Sequence, residues 1–270
     1  MPADFTSGWM GNGEAAWHGE GIVTEGSLPA REAFETANAL FTVEKRPLSY
    51  PIYNDAGQES PMSTGSYSLV RTDTQQLLGI VSRQYEIVQN QELLRMAEFI
   101  REEVEMDTVV VLKQGARVAF TAKIRGAEDD VLPGDSVYGR IVGHLGHDGK
   151  TGCGAMFTNV RVVCSNTLAA AERSNNKVSI RHKAGANANF TALIQSIDCH
   201  RRNFQSQIEV MDLIANTQIE SADLREYLNR VYEKQLSTPI RKDGEERERT
   251  LEDLRVYPHL LRAYTNGLGA

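Results

Sequence analysis

The sequence predicts an α+β protein, with an antiparallel sheet built from hairpins, a long helix packed on that sheet and a helical C-terminal part. Three observations carry this. Strand-like and helix-like stretches come in segregated runs, not in strict β-α alternation. Two pairs of alternating, β-rich segments flank short polar turns, one at Thr72–Gln76 and one at Gln114-Gly115. Apolar residues recur at helical spacing over an unusually long run from Asn187 to Asn216.

The first 28 residues are rich in Gly and polar residues, carry Trp9 and Trp17, and read as an irregular arm or cap. Pro29 opens a helix over Leu28–Leu40, with Phe34, Ala37 and Leu40 at helical spacing. Phe41–Leu48 alternates as a strand, and residues 54–66 (NDAGQESPMSTGS) read as a turn-rich loop. Tyr67–Thr72 and Leu77–Ser82 make the first hairpin. Gln89–Val104 is an amphipathic helix with Leu93, Leu94, Ala97 and Ile100 on one face. Thr108–Lys113 and Arg117–Ile124 make the second hairpin. Three more strands follow at Ser136–Val142, Ala155–Val163 and Val178–His182, and then the long helix with Phe190, Leu193, Ile194, Ile197, Phe204 and Ile208. Ser221 or Asp223 can cap a further helix that reaches Leu236. Residues 237–250 form a charged linker, and a last helix spans Thr250–Tyr264 unless Pro258 breaks it. Three regions result: an N-terminal α+β region over 1–135, a β-β-β-α core over 136–236, and a linker with a C-terminal helix over 237–270.

Composition excludes several classes. With 41% hydrophobic and 24% charged residues the chain can build a core and is not a disordered polymer. No apolar run approaches the roughly 18 residues that span a bilayer, and Met1–Trp17 lacks the basic start and apolar stretch of a secretory signal. Cys153, Cys164 and Cys199 are an odd, widely spaced set, which suggests neither a disulfide framework nor a zinc finger. Reduced thiols in a cytoplasm are the expectation, with no membrane partner.

Charge is unevenly spread. Residues 1–150 hold 13 basic and 22 acidic residues, and residues 209–270 hold 9 and 12. Residues 151–208 reverse the balance with 7 basic and 2 acidic. One positive block inside a chain of net charge −7 points to an anionic partner. The same charges scattered over several faces would serve only solubility.

Within and beside that block lie the polar clusters. His144, His147 and Asp148 fall within five residues and could ligate a metal, although Asp148-Gly149 is equally a strong turn signal. Arg161 sits in the apolar run FTNVRVVCSNTL, where it needs an ion pair, solvent or a partner phosphate. Arg181, His182 and Lys183 are consecutive, and a strand would place two of them on one side. His200, Arg201 and Arg202 add a cationic patch on the long helix. If strand and helix pack together, these patches line one groove, with Phe190, Phe204 or Tyr138 as aromatics able to stack on bases or to sit in the core. No P-loop, GxGxxG, HExxH or GxSxG is present, and Cys164 with His182 has no supporting spacing as a nucleophile and base.

WHGEGIVTEG at 17–26, FTVEKRPL at 41–48, YEIVQNQELL at 85–94, HDGKTGCGAMFTNVRVVCSNTLAAA at 147–171 and SIRHKAG at 179–185 together carry a resemblance. The chain resembles a phage- and plasmid-borne family classed as a domain of unknown function. His147, Asp148, Arg161, Cys164, Asn166, Thr167 and His182 occupy the family's recurrent positions. Such proteins continue for some tens of residues past the Asn266-Gly267 region, so the resemblance implies a shortened chain. It implies mobile-element context but no activity. The β-β-β-α order is more remotely similar to single-strand annealing proteins, which form oligomers around a basic groove.

The expected function is therefore single-stranded DNA binding and annealing in phage or plasmid recombination. Arg161, Arg181, His182, Lys183, Arg201 and Arg202 would contact the strand in an oligomer, with no catalytic residue or cofactor. The alternatives are a metal-dependent nuclease built on His144, His147 and Asp148, and an inhibitor of a host defence protein that works through the acidic N-terminal half.

Overall fold

A computed structural model describes residues 4–11, 19–131, 133–159, 168, 177–179, 186–217, 220–242, 245–254 and 257–258. The fold is α+β with antiparallel sheets. The main sheet has seven strands. Its order runs from Lys177–Ser179 (β10) through Gly154–Thr158 (β9), Ser136–Gly146 (β8), Arg117–Asp130 (β7), Val104–Leu112 (β6) and Phe5–Met10 (β1) to Ile22–Val23 (β2). Among the described residues only the short β1–β2 contact is parallel.

Alternation gives this sheet two buried faces. Val109, Val111, Val118, Phe120, Ile141, Leu145 and Phe157 point to one face. There they meet the helices Ala30–Thr36 (α1), Asn90–Phe99 (α2) and Ala186–Asn216 (α3), through Phe34, Leu93, Leu94, Ala97, Ile197, Phe204 and Ile208. The other face carries a smaller cluster of Met10, Val110, Leu112, Ala119, Val142, Met156 and Leu168.

The arm expected at the N-terminus is in part the strand β1. Trp9 is fully buried against β6 and donates its indole N–H to Thr24 Oγ1 at 3.0 Å. FTSGWM has no β-branched alternation beyond Thr6, so the strand is imposed by its partner. Residues 59–66, expected in a loop, belong to the strand Glu59–Arg71 (β4), which pairs with Val43–Tyr53 (β3) and Leu77–Ser82 (β5). β5 covers β4 only from Ser66 to Val70, so the far part of β3 and β4 extends as a two-stranded ribbon. Tyr50 faces Met62 across it, Pro51 faces Pro61, and Tyr50, Ile52, Tyr53 and Met62 are exposed.

α2 is shorter than the expected helix because Val104 joins the β6 ladder with Ile124 of β7. Its start is fixed by side chains: the Gln89 amide both accepts from Val43 N–H (3.0 Å) and donates to Val43 C=O (2.7 Å). α3 matches the expected long helix almost to the residue, and at 31 residues it is about 46 Å long. Its described buried stripe is Ile197, His200, Phe204 and Ile208, and beyond this Val210, Leu213 and Ile214 are exposed.

β7 and β8 pair from Arg117–Gly146 to Asp130–Ser136, with the register shifting between Lys123 and Glu128. The chain divides into Met1–Ala215 and Asn216–Ala270. The second unit contains Ser221–Val231 (α4), Glu233–Leu236 (α5) and the hairpin Ile240–Lys242 (β11) with Glu245–Arg247 (β12), the last two within the expected linker. Leu228, Leu251 and Leu254 form its core. Thr250 and Asp253 make a reciprocal cap on the short turn Leu251–Asp253. The remainder of the expected last helix, 259–264, lies outside the described residues. Among the described residues no helix is long and apolar enough to cross a membrane.

Candidate nucleic-acid interface

β8, β9 and β10 are consecutive antiparallel neighbours, and α3 follows them directly in the chain. This is the β-β-β-α unit expected from the sequence. Of the six residues assigned to the DNA groove, Arg161, Arg181, His182 and Lys183 lie outside the described residues. Arg201 and Arg202 are described, and adjacent positions on a helix give them different roles.

Arg201 is engaged on every side. Its guanidinium donates to Glu103 Oε2, to Asp198 Oδ1 and to the Arg125 carbonyl, each at 2.8 Å. It pins α3 to Glu103, just before β6, and to the Arg125 carbonyl within β7, and two carboxylates offset its charge. His200 is also withdrawn from the patch. It is buried, its ring stacks on Phe157 with centroids 5.3 Å apart, and its Nε2 lies 3.2 Å from Asn159 Oδ1. Burial lowers its pKa and favours the neutral ring. The helix comes this close because β8 has Gly139 below it: a Cβ there would stand 3.3 Å from His200 Nε2 and 2.9 Å from Ala127 Cβ. Arg202 is exposed and has no ion-pair partner among the described residues. Of the aromatics considered for stacking, Phe204 is in the core, the side chain of Phe190 lies outside the described residues, and Tyr138 is half-buried on the sheet.

The His144, His147 and Asp148 cluster is spread by its strand. His144 is paired in β8 with Ala119 and Gly154. His147 lies beyond the strand end, 1% exposed, with Nε2 2.9 Å from Asn90 Oδ1. Asn90 Nδ2 donates to the Phe41 carbonyl, so its Oδ1 is the acceptor and His147 Nε2 carries the proton. Burial lowers the His147 pKa to about 4, against the opposing pull of Asp148. Asp148 closes a turn. Oδ1 accepts the Lys150 and Thr151 amides, and Oδ2 accepts the Thr151 hydroxyl. Burial acts to raise its pKa, but these hydrogen bonds outweigh it and hold the carboxyl below the usual range. Among the described residues no group of three or more His, Cys, Asp or Glu is arranged to hold a metal. Cys153 and Cys199 are free thiols, and burial pushes Cys153 up to about 12.

A second polar cluster lies on the sheet face away from α3, and sequence reading passed it over. Asp107 of β6, Thr121 and Lys123 of β7 and Tyr138 and Arg140 of β8 meet there. Arg140 is 5% exposed, and its Nε is 3.5 Å from Asp107 Oδ2, which also accepts the Thr121 hydroxyl at 3.2 Å. Arg140 Nη1 donates to the Tyr138 carbonyl. Burial lowers the Arg140 pKa and Asp107 opposes it. Lys123 is the register partner of Arg140, and both cations contact the Tyr138 ring, at 4.3 Å for Lys123 Nζ and 5.3 Å for Arg140 Cζ. The available signal was the two-residue spacing of Thr121 with Lys123 and of Tyr138 with Arg140, each pair on one strand face. Joining the two pairs needs the β7–β8 register.

The model of the family described as Domain of unknown function (DUF932) matches residues 77–256. No curated protein and no solved structure matches the chain.

Proposed function

We propose that this chain, which belongs to the DUF932 family, binds single-stranded DNA and anneals it during recombination in a phage or plasmid. One observation carries the reading. The strands β9 and β10 and most of the long helix α3 fall within residues 151–208, the net-positive block of the sequence, and β8 pairs directly with β9. Phosphates would be held by Arg161, Arg181, His182, Lys183 and Arg202. Arg201 serves to anchor the helix, because its charge is already offset. Contacts of this kind neutralise backbone charge and release counterions, without base specificity. The protein would act as an oligomer, and the exposed Tyr50, Ile52 and Met62 of the β3–β4 ribbon are apolar surface that such an assembly can cover.

Anisotropy of a labelled single-stranded oligonucleotide, titrated with the protein at two salt concentrations, tests this. Binding at micromolar concentration or tighter, weakening steeply with salt, is expected, with Arg202→Glu reducing affinity about tenfold. No binding at low salt would overturn the reading.

A further inference from the structure

We infer that Lys123 and Arg140, side by side across β7 and β8 against the Tyr138 ring, form a binding site for a phosphate group. For its natural ligand, a phosphate of a nucleic-acid strand, the inference rests on the function proposed above.

The argument begins with charge. Like charges directly opposite each other on one sheet face repel, and natural sheets avoid the arrangement. Here Lys123 and Arg140 are direct register partners on the same face. The carboxylate within ion-pair distance is Asp107, at 3.5 Å from Arg140 Nε, and it offsets one cation of the two. Glu105 of β6 is the other register partner of Lys123, and Glu128 is that of Tyr138, but neither carboxylate makes an ion pair with either cation among the described residues.

The second observation is unfilled donor capacity. Arg140 Nε is buried, and the acceptor it faces, Asp107 Oδ2, stands at 3.5 Å, longer than an ordinary hydrogen bond, so this donor is poorly satisfied. Such groups are uncommon in native structures and each calls for an explanation. Lys123 has no hydrogen bond or ion pair among the described residues, and its recorded contact is the face of Tyr138. A guanidinium and an ammonium a strand spacing apart, with an aromatic wall beside them, match a tetrahedral oxyanion: Lys123 offers three rotatable donors and Arg140 a fixed fork. Lys123 and Tyr138 are only half-buried, so the site opens to solvent on their side. An anion here would relieve the Lys123–Arg140 repulsion, so it should bind the folded chain and stabilise it.

The test uses the full chain, its Lys123→Gln and Lys123→Arg variants, and two probes: inorganic phosphate, read by thermal unfolding, and the labelled oligonucleotide. Lys123 is half-buried and outside all three hydrophobic clusters, so Lys123→Gln should fold. For the natural chain and Lys123→Arg, phosphate should raise the unfolding temperature. For Lys123→Gln that rise should be lost, with oligonucleotide affinity about tenfold lower and the salt slope smaller by about 0.7. If Lys123→Gln behaves as the natural chain with both probes, the site is wrong, even where DNA binding itself stands. If the oligonucleotide does not bind but the phosphate rise depends on Lys123, the site stands with a small phosphate compound as ligand and the DNA reading falls. If neither probe acts on the natural chain, both are overturned.

Discussion

The sequence offers His147 as a turn or surface histidine or, in the alternative, as a metal ligand, and in the fold it is a packing residue. Its Nε2–H bonds to Asn90, its ring meets Phe41 edge-on at 6.0 Å, and it is enclosed. An unfolded histidine titrates near 6.5, whereas His147 in the fold titrates at about 4. The folded state therefore resists a proton that the unfolded chain accepts, so stability is complete above pH 6.5 and is lost as pH falls toward 4. The penalty at the acid end is on the order of 3 kcal/mol. Chemical denaturation at pH 7 and pH 4.5 should show a smaller loss for His147→Gln, which keeps a donor for Asn90 and cannot be charged. An equal loss in both proteins would assign the acid sensitivity elsewhere. Nothing in HLGHDG distinguishes the buried imidazole from an exposed one, because Asn90 lies 57 residues away.

At the scale of the element, α3 was legible because its apolar spacing is local, and its ends fall within a residue of expectation. Its partners were not legible. RR at 201–202 reads as a cationic pair, yet one turn geometry sends Arg201 to Glu103 and Asp198 and leaves Arg202 in solvent. Arg201→Ala should lower the unfolding free energy by about 1 kcal/mol, the modest size expected of partly exposed ion pairs with one backbone acceptor. Arg202→Ala should leave it unchanged. Equal losses in denaturant melts of the two variants would contradict this division. The β4 strand shows the converse failure. ESPMSTGS carries turn residues and no apolar alternation, and it is a strand because its backbone is satisfied by β3 while both faces are open to water.

At the scale of the whole molecule, the main sheet is closed by a strand from the far end of the chain. β1 lies between β6 and β2, about a hundred residues before its principal partner. The sequence of β1 is too irregular to announce it, and long-range pairing of this kind leaves no local trace. Trp9 is its anchor, in contact with the cluster that also holds Phe34 and Val109. Trp9→Ala should cost about 3–5 kcal/mol, and equilibrium unfolding followed by circular dichroism should report it as a loss across the main sheet. A cost below 1 kcal/mol would mean that β1 is an accessory. Fold class and the strongly periodic segments were thus readable, while β1, the outer part of β4, and register and face were not, and the Lys123–Arg140 pairing depends on register.

The prolines of the β3–β4 ribbon have a consequence for growth. A bare two-stranded ribbon offers free hydrogen-bonding rows on both sides, the template from which fibrils extend. An antiparallel ladder keeps its register through a proline only where the missing N–H would have pointed away from the partner strand. Pro51 and Pro61 face each other, so each outer row lacks a donor at the same level, and Pro47 removes another from the β3 side. A strand arriving at either edge meets a gap in the ladder, and the ribbon ends the sheet instead of propagating it.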